Sequence, residues 1–171
     1  MQGIFSVAAV IISVISLCVT VLLWQQSNRP VVAARIKTHS GGNVAIMYLL
    51  ELVNSGSRPA KNIRLHASHD QIAAALMPEA KSQPDFANHL RTVERCFEER
   101  AMVPVLLNGE AITNSFGHTS MGHPFWKPGA TMELKISYRG LQGQRYASRV
   151  TIKIDDTAGF AGASYGGKAD G

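Results

Sequence analysis

Apolar and polar residues alternate with a period of two in four separate stretches of the chain. The stretches are 32–37, 62–67, 132–139 and 149–154, and in each of them one set of positions is apolar while the other is mostly polar. This period is typical of half-buried antiparallel strands, whose successive side chains point to opposite faces of a sheet. A fifth stretch, 44–53, is almost continuously apolar and predicts a central strand that is covered on both faces.

Two further apolar segments, 102–107 and 111–117, bring the prediction to about seven strands. Short segments rich in Gly, Asn and Pro separate the strands, at 40–43, 54–59, 108–110, 127–129 and 139–144. Many short strands with regular turn signals are typical of a β-sandwich. The fold class predicted is therefore mainly β, with an antiparallel β-sandwich.

The segment NSGSRPAKNIRL, which begins at Asn54, carries a family resemblance. A strand ending in Val-Asn, followed by Ser-Gly and then by Pro-Ala-x-Asn-Ile-x-Leu, resembles bacterial immunoglobulin-like domains, including the cell-adhesion-related modules of bacterial envelopes. FWKPGATMELKISY is similar to a strand of these domains that follows a Pro-Gly turn. We expect Gly56 to supply a turn and Pro59 to stiffen it. The resemblance covers 31–68 and 125–155, implies a binding or scaffolding role, and supplies no catalytic residue.

Residues 70–100 interrupt the strand pattern and are longer than an ordinary connection between strands. Four apolar side chains in this segment recur at i, i+4, i+7 and i+11 and would share one face of a helix: Phe86, Leu90, Val93 and Phe97. The segment therefore predicts a helical insertion. Its apolar face either covers an edge or end of the sandwich or docks a partner.

The N-terminal region contains an uncharged apolar run from Ile4 to Trp24. At ~1.5 Å per residue, a helix of this length matches the ~30 Å hydrocarbon thickness of a bilayer. A secretory signal would usually place a basic segment before a shorter apolar region of ~7–15 residues, whereas only Met-Gln-Gly precedes this run. A lipoprotein signal at Cys18 is disfavoured by the bulky Leu17 before it. We expect an uncleaved transmembrane helix.

Basic residues are placed asymmetrically about this helix. No Lys or Arg precedes it, whereas Arg29, Arg35 and Lys37 follow it. The positive-inside rule then places the rest of the chain on the cytoplasmic side of the cell membrane, with these cations and Trp24 at the membrane interface. The alternative is a domain on the periplasmic or extracellular side.

Small residues repeat inside the apolar run at spacings of 3, 4, 3 and 4: Ser6, Ala9, Ser13, Ser16 and Thr20. At ~100° per residue they fall within a stripe about 80° wide. Such a stripe lets another helix approach closely, and hydroxyl groups bond across membrane helices for ~0.6–2 kcal/mol each. The alternative is that the hydroxyls bond to carbonyl groups of their own helix. The stripe predicts packing against other transmembrane helices, from a second copy or a larger membrane complex.

The charged residues all follow the apolar run, and 17 basic against 12 acidic residues give a net charge of +5. The excess is spread along the chain without a run of Lys or Arg. This distribution suits a domain held against anionic lipid head groups and argues against nucleic-acid binding. Cys96 is the single cysteine outside the apolar run, so this part of the chain cannot form an internal disulfide.

Candidate catalytic chemistry is sparse. Two histidine pairs, His66 with His69 and His118 with His123, fall short of the roughly four ligands that a zinc site needs. The chain has no phosphate-binding loop, dinucleotide fingerprint or nucleophile elbow. Cys96 is expected to be a packed thiol. We therefore predict no catalytic residue, no metal and no cofactor, and we identify no small-molecule substrate.

Three parts are expected along the chain: a transmembrane helix with its juxtamembrane segment at 1–28, an immunoglobulin-like β-sandwich at 29–156, and a flexible Gly-rich tail at 157–171. The predicted function is a non-catalytic accessory or scaffolding subunit of a membrane protein assembly. Its predicted partners are the membrane and other transmembrane helices. The alternative is an extracytoplasmic adhesion or ligand-binding module anchored by the same helix.

Overall fold

A computed structural model describes residues 2–40, 45–120 and 123–155, with side chains from residue 10 onward apart from residue 40. The predicted tail at 157–171 and most of the predicted turn at 40–43 lie outside the described residues. Helix α1 (Gln2–Ser27) comes first and is followed by strands and two short helices. The strands are β1 (Val32–Ser40), β2 (Ala45–Asn54), β3 (Ala60–His66), β4 (Val103–Leu106), β5 (Ala111–Ser120), β6 (Ala130–Arg139) and β7 (Arg145–Ile154).

The strands form two antiparallel sheets. One sheet has three strands in the order β1-β2-β5, and the other has four in the order β4-β3-β6-β7. Neighbouring strands run antiparallel throughout both sheets. The described part of the protein is therefore mainly β, with strands at the positions that the alternation predicts.

Buried residues of both sheets belong to one hydrophobic core. Met132, Leu134 and Ile136 of β6 are fully buried, whereas the residues between them are exposed or half-buried, as a period of two requires. Trp126 is buried in the core, and its indole nitrogen donates a hydrogen bond of 2.8 Å to the carbonyl oxygen of Phe116. The two rings also stack, with centroids 4.9 Å apart.

β2 is the central strand of its sheet, between β1 and β5, as its apolar run predicts. The prediction that both of its faces are covered is wrong for the outer face, where Met47 is 46% exposed and Leu49 and Val53 are only half-buried. Apolar residues are common on protein surfaces, so a continuous apolar run does not by itself require a second covering layer.

The chain between β3 and β4 is largely helical, in agreement with the predicted insertion. It contains α2 (His69–Ala75), α3 (Phe86–Glu94) and two 3₁₀ segments, Pro78–Ser82 and Arg95–Phe97. Backbone hydrogen bonds fix it to the segment before β6, from the Lys127 amide to the Ala75 carbonyl and from the Met77 amide to the Phe125 carbonyl. The insertion is therefore part of the folded unit.

Candidate functional site

From residue 10 onward, the surface of α1 is largely apolar and uncovered. From residue 10 to Trp24, every large apolar side chain is exposed, from 44% at Val21 to 65% at Leu17. The segment Val10–Ser27 is long and apolar enough to cross a membrane, and none of it is buried inside the protein. Leaving such side chains in water would forgo ~1.5–3 kcal/mol for each one.

The small-residue stripe on α1 is only partly visible. The side chains of Ser6 and Ala9 lie outside the described ones, whereas Ser13, Ser16 and Thr20 are exposed. The Thr20 hydroxyl donates a hydrogen bond of 2.8 Å to the Ser16 carbonyl oxygen, one turn earlier in the same helix. The Thr20 hydroxyl therefore bonds to a carbonyl group of its own helix, which is the alternative to a bond with a second helix. The stripe still offers small side chains for close approach of a second helix.

The end of α1 contacts the loop after β2. The Arg58 guanidinium lies over the Trp24 ring, 5.1 Å from its centroid, and the Ser57 hydroxyl donates a hydrogen bond of 3.1 Å to the Ser27 carbonyl. A Cβ on Gly56 would lie 2.3 Å from the backbone nitrogen of Val31. Gly56 is therefore needed for close backbone approach at this junction, and not for the left-handed conformation that many turns require.

Asn54, at the end of β2, connects the same junction to the core. Its side-chain oxygen accepts hydrogen bonds from the backbone amides of Val31 (3.2 Å) and Gly56 (3.1 Å). Its side-chain nitrogen donates to the carbonyl oxygens of Arg58 (2.8 Å) and Leu106 (3.1 Å). Asn54 is fully buried, and all its amide hydrogen-bonding groups are in use. The residue pattern along the chain did not predict this role.

The four residues predicted at the membrane interface lie in two different places in the structure. Trp24 lies in the last turn of α1, and Arg29 follows the helix end at Ser27. Arg35 and Lys37 lie on β1 and both pair with the carboxylate of Glu51, with 2.6 Å between the Lys37 Nζ and Glu51 Oε1.

Glu51 is nearly buried, with only 4% of its side chain exposed. Burial alone would raise the pKa of Glu51, but hydrogen bonds from Lys37 and Arg35 outweigh it and hold the pKa below its ordinary value. Both cations therefore also stabilise the outer face of the three-stranded sheet.

The apolar face predicted on α3 packs within the protein. Val93 is fully buried, and Phe86, Leu90 and Phe97 are partly buried against the core. The rings of Phe97 and Phe116 meet edge to face, with centroids 6.2 Å apart. This packing favours the covering role of the insertion over docking of a partner by the same face.

The two predicted histidine pairs have separate surroundings. His66 Nε2 lies 3.0 Å from the Ser137 hydroxyl, and His69 Nδ1 lies 3.2 Å from a Glu94 carboxylate oxygen. His118 packs edge to face against His89, with ring centroids 4.4 Å apart. Among the described residues, no group of three or more His, Cys, Asp or Glu side chains is placed to hold a metal ion.

Cys96 is a packed thiol. It is 4% exposed, and its Sγ accepts a hydrogen bond of 3.5 Å from the Asn114 side-chain amide. Burial raises the pKa of the thiol to about 11. The thiol therefore stays protonated near neutral pH, and a protonated thiol is a poor nucleophile.

Two cavities of similar size open at different places. One, of about 310 Å³, is lined by residues of both sheets, mainly apolar ones, including Leu52, Leu65 and Cys96. The other, of about 340 Å³, lies on the four-stranded sheet and is lined by Asn62, Arg64, Met102, Ser137, Tyr138, Arg139, Arg145 and Tyr146. Alternation assigns Arg64 and Arg139 to a polar face, but only the strand order brings them to one cavity.

Comparison with other proteins identifies a family and no individual relative. No curated protein and no solved structure matches the chain. A family described as Domain of unknown function (DUF8453) matches residues 3–158. The match includes nearly all of α1, every strand and the helical insertion. The chain therefore belongs to the DUF8453 family.

Proposed function

We propose that the protein is a single-pass membrane protein in which α1 spans the bilayer and anchors a non-catalytic accessory or scaffolding domain of a membrane protein assembly. The observation that carries this proposal is the uncovered apolar surface of α1 from residue 10 to Trp24. A bilayer removes this surface from water, and the helix is long enough for the hydrocarbon region. Trp24, in the last turn of α1, suits a membrane interface.

We infer that the strands form an immunoglobulin-like β-sandwich. In immunoglobulin domains, strands one, two and five share a sheet, and strands three, six and seven form the facing one. The orders β1-β2-β5 and β3-β6-β7 support this assignment, as does the common core. β4 departs from the constant-type arrangement because it pairs with β3 and does not extend the sheet that contains β5.

A non-catalytic role is supported by the state of the reactive side chains. The Cys96 thiol is buried and its pKa is raised. His66 and His69 each have a separate polar neighbour.

The cytoplasmic location is supported by the basic residues that follow α1, namely Arg29, Arg35 and Lys37. The second candidate function is an extracytoplasmic adhesion or ligand-binding module. The mainly apolar cavity of about 310 Å³ favours it because cavities of ~300–1,000 Å³ hold small ligands. The two candidates differ in the side of the membrane on which the strands lie.

Contact with partner helices through the small-residue stripe is tested by replacing Ser13 and Ser16 with Leu. Added bulk at these positions would keep backbones apart without weakening membrane insertion, and loss of close packing would cost the association ~1–3 kcal/mol. The matched control replaces Ile12 and Ile15, which lie off the stripe, with Leu. Self-association is measured in a membrane two-hybrid assay, and copurifying subunits by mass spectrometry after gentle detergent extraction.

The proposal expects a loss of self-association, or of a copurifying subunit, for the serine pair alone. Equal behaviour of the two double variants and the parent would exclude the stripe as the contact. α1 would then be an anchor only.

A further inference from the structure

The cavity of about 340 Å³ on the four-stranded sheet concentrates positive charge. Three of its lining residues are arginines, Arg64, Arg139 and Arg145, and none of its lining residues is acidic. We propose that this cavity binds the phosphate group of an anionic membrane lipid. The inference rests on the proposed anchoring of the chain by α1.

The register of the sheet forces these charges together. Arg139 of β6 and Arg145 of β7 are directly opposite one another, and Arg64 of β3 is opposite Ser137, two residues from Arg139. Like charges at directly opposite positions destabilise a sheet. In the described part of the chain, no carboxylate forms an ion pair with any of the three arginines. A bound anion would compensate this charge.

Two other cations, both on β7, have carboxylate neighbours. Arg149 lies 3.6 Å from a Glu133 carboxylate oxygen, and Lys153 lies 2.6 Å from Asp155. Carboxylates are therefore present on or beside this sheet outside the cavity, whereas none lines the cavity itself. Arginine also suits phosphate, because the planar guanidinium donates two parallel hydrogen bonds to its oxygens.

The position of the cavity favours a lipid as the source of the phosphate. Tyr146 lines this cavity and also a smaller one, of about 70 Å³, that is formed with Trp24, Asn28 and Leu141. Arg139 and Arg145 also flank the β6–β7 turn that lines the smaller cavity, so these two arginines lie near the end of α1, where the helix would leave the membrane. Leu141, at the tip of the β6–β7 hairpin, is 48% exposed. Lipid phosphates lie at the depth at which an interfacial tryptophan is found.

The test uses the full chain in detergent micelles, with lipid adducts counted by native mass spectrometry. Phosphatidylglycerol is the anionic probe, phosphatidylcholine the zwitterionic probe, and inorganic phosphate the soluble competitor. The variant Arg139→Gln with Arg145→Gln removes two cavity charges. The control Arg149→Gln with Lys153→Gln removes two charges of β7 that lie outside the cavity. Unfolding followed by tryptophan fluorescence checks that each variant folds.

The proposal expects a preference of the parent for phosphatidylglycerol over phosphatidylcholine that falls about tenfold or more in the cavity variant. The preference should stay within about twofold of the parent value in the control. Equal losses in both variants would show attraction by net charge alone and overturn the proposal. Displacement of the lipid by millimolar phosphate would overturn the lipid source. If the cavity variant does not fold, Arg64→Gln replaces it and must lower the preference.

Failure of the anchor is distinguishable from failure of the cavity. The parent reconstituted into pure phosphatidylcholine liposomes must float with them and resist alkaline extraction if α1 spans the bilayer. A protein that floats and shows no preference for phosphatidylglycerol would refute the cavity proposal alone. A protein that is extracted by alkali would refute the anchor and the lipid proposal with it.

Discussion

Replacement of Asn54 by Ala should destabilise the fold more than any other single loss of a polar side chain near the junction. The change removes two hydrogen bonds accepted from the amides of Val31 and Gly56 and two donated to the carbonyls of Arg58 and Leu106. Each hydrogen bond contributes ~0.5–1.5 kcal/mol net, and a buried group left without a partner costs ~1–3 kcal/mol. Water entering beside the exposed Val31 would recover part of this loss. The expected decrease in the free energy of unfolding is about 3 kcal/mol.

The assay is urea unfolding of the full chain in detergent, followed by the fluorescence of Trp126, which is 1% exposed. The chain has two tryptophans, so all variants carry Trp24→Phe to leave Trp126 as the reporter. Asn28→Ala is the matched control, because the Asn28 amide donates one hydrogen bond of 3.0 Å to the exposed carbonyl of Trp24. It should cost less than about 0.5 kcal/mol. A loss below about 1 kcal/mol for Asn54→Ala would refute the reasoning.

Three further predictions concern single residues. Gly56→Ala should lower the free energy of unfolding by about 2 kcal/mol or more, measured in the same assay, because its Cβ would meet the Val31 backbone nitrogen. The lowered pKa of Glu51 contributes stability that is fully present above the ordinary carboxyl pKa and is lost as the pH falls through the lowered pKa. When the free energy of unfolding is measured against pH, Glu51→Gln should therefore lose less stability in acid than the parent does. Burial lowers the pKa of His89, and the nearby His118 lowers it further, so parent stability should fall as the pH drops below about 6.5. His89→Phe should flatten that decline, and an unchanged pH profile would contradict the assignment.

The spacing of apolar residues predicted individual strands and helices, because it depends only on which side chains of one element face the core. The alternation at 132–139 predicted β6 because each apolar residue there faces the core and each polar one faces away. The uncharged run predicted α1, and the spacing of Phe86, Leu90 and Val93 predicted α3. These signals are local, so the linear sequence contains them in full.

Pairing between distant segments was not predictable in the same way. Arg139 and Arg145 are opposite because of the β6–β7 register, whereas Arg64 reaches them only because β3 is the next strand in the sheet. Asn54 has a single signal in the sequence, a buried-strand position occupied by an amide, and its partners are up to 52 residues away. The sequence predicted a turn at Gly56 since glycine is common in turns, but the close backbone contact there depends on where α1 ends.

The proposed membrane anchor and cytoplasmic domain are tested by measuring on which side of the membrane the strands lie. Green fluorescent protein, which is fluorescent when it stays in the cytoplasm, and alkaline phosphatase, which is active only after export, are fused separately after Asp155 of the full chain. The same reporters at the N-terminus serve as the matched control for the opposite side. A cytoplasmic domain should give fluorescence and no phosphatase activity for the fusions after Asp155, in a membrane fraction that resists alkaline extraction. Phosphatase activity without fluorescence would contradict it and favour the extracytoplasmic adhesion or ligand-binding module.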